Sequence, residues 1–325
     1  MSKRKRTPSA TPAPPQAGSR GTESILRDIH RLLASRELDS PEEVDAFLSA
    51  ALHDGRVPVA ESTTPFDRAV DLVFEALESD DPTHRAALAR QALEISPDVG
   101  DAYNILAEDL PEAHLALPLY REGMAAAERA VGGEFAALME EGELWMTLEA
   151  RPYMRARLGA AEAMWEMGDR VAAIAEGWEL LRLNQNDNQG VRHVLLHWLL
   201  QAGSIAAIDT LLARYEGDDS AHWHFGTALH RFRTEGASPR ADAALDAGVD
   251  ANPHVAPFLL LMKELPGWSP DYVGIGEESE AVAYAEEALS LWWNTPGAID
   301  WLGTRHDLGR KRRPTQGRRT RRNAR

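Results

Sequence analysis

The chain has 325 residues, of which 44% are hydrophobic, and this is enough to build a core. It contains no cysteine, which excludes disulfides, thiol catalysis and cysteine-ligated zinc. The net charge of -16 is unevenly distributed: residues 1–20 carry five basic and no acidic residues, and residues 305–325 carry ten basic residues and one acidic residue. Residues 21–304 therefore retain 20 of the 35 basic and 50 of the 51 acidic residues, so an acidic body lies between two basic tails.

The sequence has no feature of an exported or membrane-spanning chain. The basic start, Met1 to Arg6, is followed by Pro, Ala, Ser and Thr instead of the apolar core of a secretory signal. Nowhere do about 18 apolar residues run together, as a transmembrane helix requires. We therefore expect a cytoplasmic protein that does not contact the membrane.

The N-terminal region predicts a tail followed by a helical pair. Residues 1–20 are rich in Pro, Ala, Ser and Thr, so we expect a disordered basic tail. Residues 21–53 predict two helices, the first running from Thr22 to about Ser35. Its apolar residues share one face and are Ile25, Ile29, Leu32 and Leu33.

The second helix of this pair has a clear start signal. Ser40 is suited to the N-cap, Pro41 to the first helical position, and Glu43 completes a capping box. A segment rich in Gly, Pro, Ser and Thr follows at residues 54–65. We interpret this segment as a linker.

Residues 66–304 predict a helical repeat domain. Ala and Leu dominate the apolar residues, which favours helices over sheet. A tetratricopeptide unit is about 34 residues long and pairs two antiparallel helices. Gly168, Gly203 and Gly236 recur near this period as turns between paired helices, and Asn184 and Asn252 recur as closing turns. We predict an all-α, tetratricopeptide-like helical-repeat solenoid with disordered basic termini, in which the first helix of each pair lines a concave surface.

Two regions depart from this regular pattern. The stretch from Leu110 to about Glu149 fits the repeat less well and predicts two longer or irregular helices around a turn at Gly132-Gly133. Residues 305–325 predict a second disordered tail, because their composition is strongly basic.

Two segments carry a resemblance to a known family. The stronger one begins with Asn252-Pro253-His254-Val255-Ala256-Pro257-Phe258-Leu259-Leu260 and continues through Met262-Lys263, Pro270 and Gly276 to Ala285. The second is Ser96-Pro97-Asp98, followed by Ala102 to Glu108. Over residues 91–302 the chain resembles the suppressor-of-tumorigenicity-7 family and its tetratricopeptide-like bacterial relatives. The resemblance implies a helical-repeat fold and an interaction role, and it supplies no catalytic residues.

The catalytic and metal-binding patterns are incomplete. His193 and His197 are four residues apart and share a helix face, but a zincin would need Glu at position 194, where Val stands. The sequence also lacks a Gly-x-Ser-x-Gly elbow and a phosphate-binding loop. We therefore expect no metal, no cofactor and no enzymatic activity.

The repeat register predicts which residues line the groove. Counting back from the turn glycines places a mixed polar and aromatic set there, which suits a peptide. The predicted set is Arg155, Glu162, Trp165, His193, His197, Trp223 and His230. Because the body is acidic, we expect the partner to be a protein or peptide with a basic segment.

The basic C-terminal tail leaves a second function open. Its candidate polyanion contacts are Arg310, Lys311, Arg312, Arg313, Arg318 and Arg319. Because no aromatic residue lies among them, nucleic acid would be contacted through its phosphates alone. A basic tail folded onto the acidic body would instead compete with an outside ligand.

Overall fold

The computed structural model describes residues 17–34, 40–51, 61–268 and 272–312. Within these ranges the regular structure is helical, with one isolated bridge between Glu143 and Asn184 and no strand. This confirms the predicted all-α fold. The chain divides into two compact units, an N-terminal unit of residues 14–195 and a C-terminal unit that begins at Leu196.

The N-terminal unit is a succession of helices packed on their neighbours. Helix α3 packs on α4, α5 on α6, and α8 on both α6 and α9. The helices are α1 (Ala17–Ala34), α2 (Pro41–Ala51), α3 (Pro65–Glu78), α4 (Pro82–Ile95), α5 (Gly100–Glu108), α6 (Ala113–Val131), α7 (Phe135–Glu141), α8 (Arg151–Glu166), α9 (Arg170–Leu183) and the first part of α10 (Val191–Ala202).

The irregular region predicted between Leu110 and Glu149 is confirmed. Helix α6 is the longest in the described residues, and three short 3-10 helices surround α7, at Gly132–Glu134, Leu144–Met146 and Leu148–Ala150. Gly132 has a φ of 69°, in the region that favours glycine, and it ends α6 as the predicted turn.

The C-terminal unit is centred on one helix, α12, which packs against α11, α13 and α15. Its core is rich in aromatic side chains, including Phe225 and Trp292, which are almost completely buried. The helices after α10 are α11 (Ile205–Arg214), α12 (Ala221–Glu235), α13 (Pro239–Ala251), α14 (Val255–Leu259), α15 (Glu278–Trp293) and α16 (Ala298–Arg312).

Local sequence signals explain where the helices begin. Thr64 and Asp67 form a reciprocal capping box at the start of α3, and Asp81 caps α4. Ser238 caps α13 in the same way, and each of these three helices has Pro in its first turn. The predicted cap at Ser40 is confirmed, since the Glu43 amide donates to the Ser40 hydroxyl at 3.2 Å.

The turn glycines of the predicted repeat lie where the period placed them. Gly168, Gly203 and Gly236 have φ values of 88°, 69° and 69°, and each separates two consecutive helices. The small residues Ala173 and Ala241 of the following helices are fully buried. The helices therefore follow the predicted repeat, whereas the assignment to the tetratricopeptide class stays a prediction.

Both predicted tails lose residues to helices. Helix α1 begins at Ala17, inside the predicted N-terminal tail, and α16 continues to Arg312, inside the predicted C-terminal one. Helix α16 continues into the predicted C-terminal tail because the Arg305 guanidinium pairs with Asp242 and Asp246 on α13. The predicted linker likewise ends one residue early, since Pro65 belongs to α3. Residues 1–16, 52–60 and 313–325 lie outside the described residues.

Candidate partner-binding surfaces

Helix α1 meets the rest of the N-terminal unit through a charged ridge. Glu23, Arg27 and Arg31 are spaced four residues apart and so share one face of the helix. Glu23 is only 6% exposed, whereas Ile25, the first residue of the predicted apolar face, is 49% exposed. The face of α1 that is held most closely is therefore charged.

Glu23 is bound by two arginines of α8. Its carboxylate accepts hydrogen bonds from Arg155 at 3.0 and 3.1 Å and from Arg151 at 3.1 Å. Arg155 also donates from Nε to Asp101 of α5 at 2.9 Å. Burial lowers the pKa of Arg155, but the charges of Asp101 and Glu23 outweigh burial and leave its pKa raised. Arg155 is therefore a fixed cation between two carboxylates.

Arg31 is bound at the other end of the ridge by the first turns of α3. Its guanidinium pairs with Asp67 at 3.2 Å and with Asp71 at 2.8 Å. Burial raises the pKa of Asp67, but hydrogen bonds from Thr64 and the charge of Arg31 outweigh burial, so the pKa lies below its ordinary value. Asp67 thus holds α1 and caps α3 at the same time.

Arg27 lies between these two ionic contacts. It approaches Glu149 at 3.8 Å, and its guanidinium lies 5.9 Å from the centre of the Phe66 ring. Burial lowers its pKa more than the neighbouring carboxylates raise it. A cavity of about 20 Å³ remains beside Arg27, lined partly by Val70 and Val73. The middle of the ridge therefore fits less tightly than its two ends.

Four predicted groove residues belong to the N-terminal unit. Arg155 is already paired with Glu23 and Asp101, as described above. Glu162 and Trp165 lie further along α8 and are half-buried, and the Arg170 guanidinium lies 5.1 Å from the centre of the Trp165 ring. His193 is half-buried in the first turn of α10. Of these residues, Arg155 pairs with α1 through Glu23.

The C-terminal unit contains an open cleft of about 880 Å³ formed by α11, α12 and α13. Two predicted groove residues, Trp223 and His230, lie seven positions apart on α12 and line this cleft together. Each is 5% exposed, so they form its floor. The third predicted residue of this unit, His197, is not among the cleft-lining residues.

Contacts with α11 and the turn after it fix the cleft floor. The Nε2 atom of His230 lies 2.8 Å from the Asp209 carboxylate. Trp223 meets the ring of Tyr215 edge-on, with 6.0 Å between ring centres. Its backbone amide donates to the N-cap residue Ser220 at 3.3 Å. Both ends of the stretch of α12 that faces the cleft are therefore tied to neighbouring residues, which holds the floor in place.

Charged side chains form the rim of the cleft, and the two ends of the rim differ in charge. Glu216 and Asp218 line it just before α12 begins. At the other end of α12, Glu235 pairs with Arg240 at 3.2 Å and approaches Arg231 at 4.0 Å. One end of the cleft is thus acidic, and the other contains arginines engaged by a carboxylate.

His197 and His222 of the C-terminal unit are half-buried and do not line the cleft. Burial lowers the pKa of His197, whose Nε2 atom lies 2.6 Å from the side-chain nitrogen of Gln201. His222 approaches Glu287 at 3.5 Å. In the part of the chain that the structure describes, no three His, Asp or Glu side chains converge as metal ligands would.

The residues behind the strongest sequence resemblance form a buried polar network. Asn252 is fully buried, and its amide donates to Glu280 and to the Glu277 carbonyl, both at 2.9 Å. Glu280, which is 2% exposed, also accepts from the backbone amides of Ala221 at 2.7 Å and Gly276 at 2.8 Å. This network joins α12, α13 and α15, so these residues have a structural role.

The predicted polyanion contacts fall at the limit of the described structure. Arg310, Lys311 and Arg312 belong to the last turn of α16, but their side chains lie outside the described residues. Arg313, Arg318 and Arg319 lie outside them altogether. Nucleic-acid contact by this tail stays a prediction. Across the described ranges, no helix combines the length and apolarity needed to cross a bilayer.

Sequence reasoning missed most of the residues that hold α1. Asp101 and Arg151 carry no motif, and the capping box of Asp67 does not predict its contact with Arg31. These residues contact α1 or Arg155 only because distant helices meet. One signal was available in the sequence: the spacing of four between Glu23, Arg27 and Arg31 indicates a charged helix face.

Comparison with known proteins gives a consistent set of relatives. A suppressor of tumorigenicity 7 protein-like from Bos taurus is 29% identical over 275 residues, which cover 74% of this chain and 48% of that protein. Its counterpart in Danio rerio is 30% identical over 249 residues, covering 69% of this chain and 42% of that protein. The chain resembles the suppressor-of-tumorigenicity-7 family. This confirms the resemblance predicted from the sequence.

The resemblance to the suppressor-of-tumorigenicity-7 family has defined bounds. The chain spans about half the length of the relatives it matches. No family model matches the chain. No solved structure matches it either. The names of these relatives state no ligand or reaction.

Proposed function

We propose that the chain is a scaffold that binds a peptide or protein partner through its helical repeats, with the cleft of α11, α12 and α13 as the contact site. The observation that carries this proposal is the cleft itself, about 880 Å³ in volume with Trp223 and His230 together on its floor. Ligand sites typically measure about 300–1,000 Å³ and combine aromatic walls with a few placed polar groups.

The charges of the cleft favour a partner with a basic segment. Asp209, Glu216 and Asp218 contribute carboxylates to its lining. Arg231 and Arg240 also line it, but both are near Glu235, which partly neutralises them. A Lys or Arg of the partner would lie near the acidic end, and an apolar side chain would pack near Trp223. The role is non-catalytic, and we place it in the cytoplasm.

A substitution that fills the cleft with a large side chain tests the proposal. Ala243 lines the cleft from α13 and is exposed, so Ala243→Trp would fill it without disturbing the core. Ala247 lies one turn further along the same helix, is also exposed and does not line the cleft, which makes Ala247→Trp the matched control. Both variants keep the full chain.

The assay uses a displayed library of random peptides selected on the full wild-type chain. We expect the enriched peptides to be rich in Lys and Arg, to bind Ala243→Trp at least about tenfold more weakly, and to bind Ala247→Trp as they bind the wild type. Peptides that bind both variants equally would show that the cleft is not the contact site.

A further inference from the structure

The contact between α1 and the N-terminal unit has the form of a ligand in a site. Three side chains of α1, spaced four residues apart, reach three separate ionic contacts on the body. These contacts are with Arg151 at the start of α8, Asp67 in the first turn of α3, and Glu149 just before α8. Long charged side chains therefore make the attachment, as in the docking of a separate peptide helix.

The body side of this contact is fixed without α1. Arg155 is oriented by Asp101, and Arg151 donates to the Trp145 carbonyl at 2.9 Å. Asp67 accepts hydrogen bonds from the backbone amide and hydroxyl of Thr64, at 3.1 and 2.7 Å. A surface whose charged groups are already positioned loses little freedom when it binds a ligand, which favours binding.

The α1 side is held by forces that allow exchange. Ile25 and Leu26 are exposed, and the other large apolar residues of α1, Ile29, Leu32 and Leu33, are only half-buried. The pair between Arg31 and Asp71 is also partly exposed, and such pairs contribute about 0–1 kcal/mol and weaken with salt. Glu23, buried between Arg151 and Arg155, is the strongest single anchor.

We propose that this surface of the N-terminal unit is a binding site for a partner helix that carries an acidic residue followed by arginines four and eight positions later, and that α1 is the occupant supplied by the chain itself. The acidic residue binds Arg151 and Arg155, and the last arginine binds Asp67 and Asp71. This site goes beyond the proposed function, since it lies in the other unit and takes a different ligand.

Attachment to the chain makes α1 a strong competitor. A tethered segment acts at an effective concentration of about 1 mM. If α1 docks with an intrinsic Kd of about 10 µM, an external helix would therefore bind about 100-fold more weakly than to a site without α1. A partner helix therefore gains access only when α1 is displaced or held elsewhere.

The test measures binding of a fluorescent synthetic peptide of residues 17–34 to the full chain by anisotropy. The recipient is a full-length variant whose own α1 is repelled, Glu23→Lys with Arg27→Glu and Arg31→Glu, while the body site is unchanged. We expect the peptide to bind this variant at least about tenfold more tightly than the wild type. Equal binding to both proteins would overturn the proposal.

Two changes to the body locate the site. Asp71 is partly exposed, so Asp71→Lys should fold. Added to a variant with Glu23→Lys and Arg27→Glu but with its own Arg31 kept, which the new lysine repels, it should weaken peptide binding several-fold. A peptide carrying Arg31→Glu should recover that loss through the reversed pair. Glu140 is an exposed residue of α7, so Glu140→Lys makes the same change of charge as Asp71→Lys and serves as the surface control that leaves binding unchanged.

The outcomes separate this site from the cleft. If Glu140→Lys weakens peptide binding as much as Asp71→Lys, the peptide responds to overall charge and the site assignment is wrong. Ala243→Trp, which blocks the cleft, should leave exchange of the α1 peptide unchanged. If library peptides bind Ala243→Trp as they bind the wild type while α1 exchange behaves as expected, the proposed function has failed. If Ala243→Trp weakens library-peptide binding but the α1 peptide binds the wild type and the repelled-helix variant equally, the α1 site has failed.

Discussion

The α1 surface of the N-terminal unit and the cleft of the C-terminal unit differ in what fills them. Beneath α1 the charged groups are paired by the chain's own Glu23, Arg27 and Arg31, and a cavity of only about 20 Å³ remains. The cleft is open, with about 880 Å³ above Trp223 and His230. Repeat helices of one fold thus present either a filled or an open surface, and the presence of an extra segment decides which.

The two surfaces also depend on different forces. The α1 surface selects by charge, because buried and half-buried ion pairs position its ligand. The cleft selects first by shape, because its floor consists of packed side chains with a charged rim around it. Salt should therefore release α1 more readily than it releases a ligand of the cleft.

The largest effect is expected from removing Glu280, which fixes the N-terminal end of the helix that forms the cleft floor. Glu280→Ala leaves the buried amides of Ala221, Gly276 and Asn252 without their acceptor, which should cost about 3 kcal/mol or more. Urea unfolding followed by tryptophan fluorescence would measure this loss. Glu278 is an exposed carboxylate of α15, the helix that carries Glu280, and Glu278→Gln should cost less than about 0.5 kcal/mol. Equal losses in the two variants would contradict the role of the network.

A smaller loss is expected from crowding the helices that present Arg155. Gly159 of α8 lies against the ring of Tyr120 on α6, so the added Cβ of Gly159→Ala would overlap that ring. Overpacking of this kind costs about 1–3 kcal/mol, and a shift of α8 should also loosen α1. Gly133→Ala is the control, because its Cβ would meet no atom within 4 Å. Urea unfolding would measure the loss of stability, and hydrogen exchange would measure the loosening of α1. Identical exchange of α1 in Gly159→Ala and Gly133→Ala would show that the docking of α1 does not depend on the packing of α6 on α8.

The smallest effect concerns pH and is confined to the C-terminal unit. Burial lowers the pKa of His222, but the hydrogen bond and charge of Glu287 outweigh burial and leave the pKa above its ordinary value of 6.5. A raised folded-state pKa adds stability that is fully present below that ordinary value and is lost as pH rises through the folded-state value. Glu287→Gln should therefore lower the urea midpoint more at about pH 5.5 than at about pH 8.5. A larger loss at the higher pH would show that Glu287 does not raise the pKa of His222 in the folded chain.

The candidate sites were only partly accessible from the sequence. Trp223 and His230 were predicted on one surface from the helical period within one helix, and both line the cleft. His197 was grouped with them but does not line the cleft, since a register continued from one repeat to the next does not fix which helices enclose an open space. Arg155 was placed on a binding surface, but its pairing with Glu23 was not foreseen.

The sequence by itself determined the features that depend on near neighbours along the chain. The caps at Ser40 and Ser238 and the turns at Gly168, Gly203 and Gly236 follow from local hydrogen bonding and from the freedom of glycine at positive φ. The tertiary structure alone decided which charged groups meet. Glu23 and Arg155 are 132 positions apart, and their contact depends on how α1 is laid against α8, which no local signal encodes.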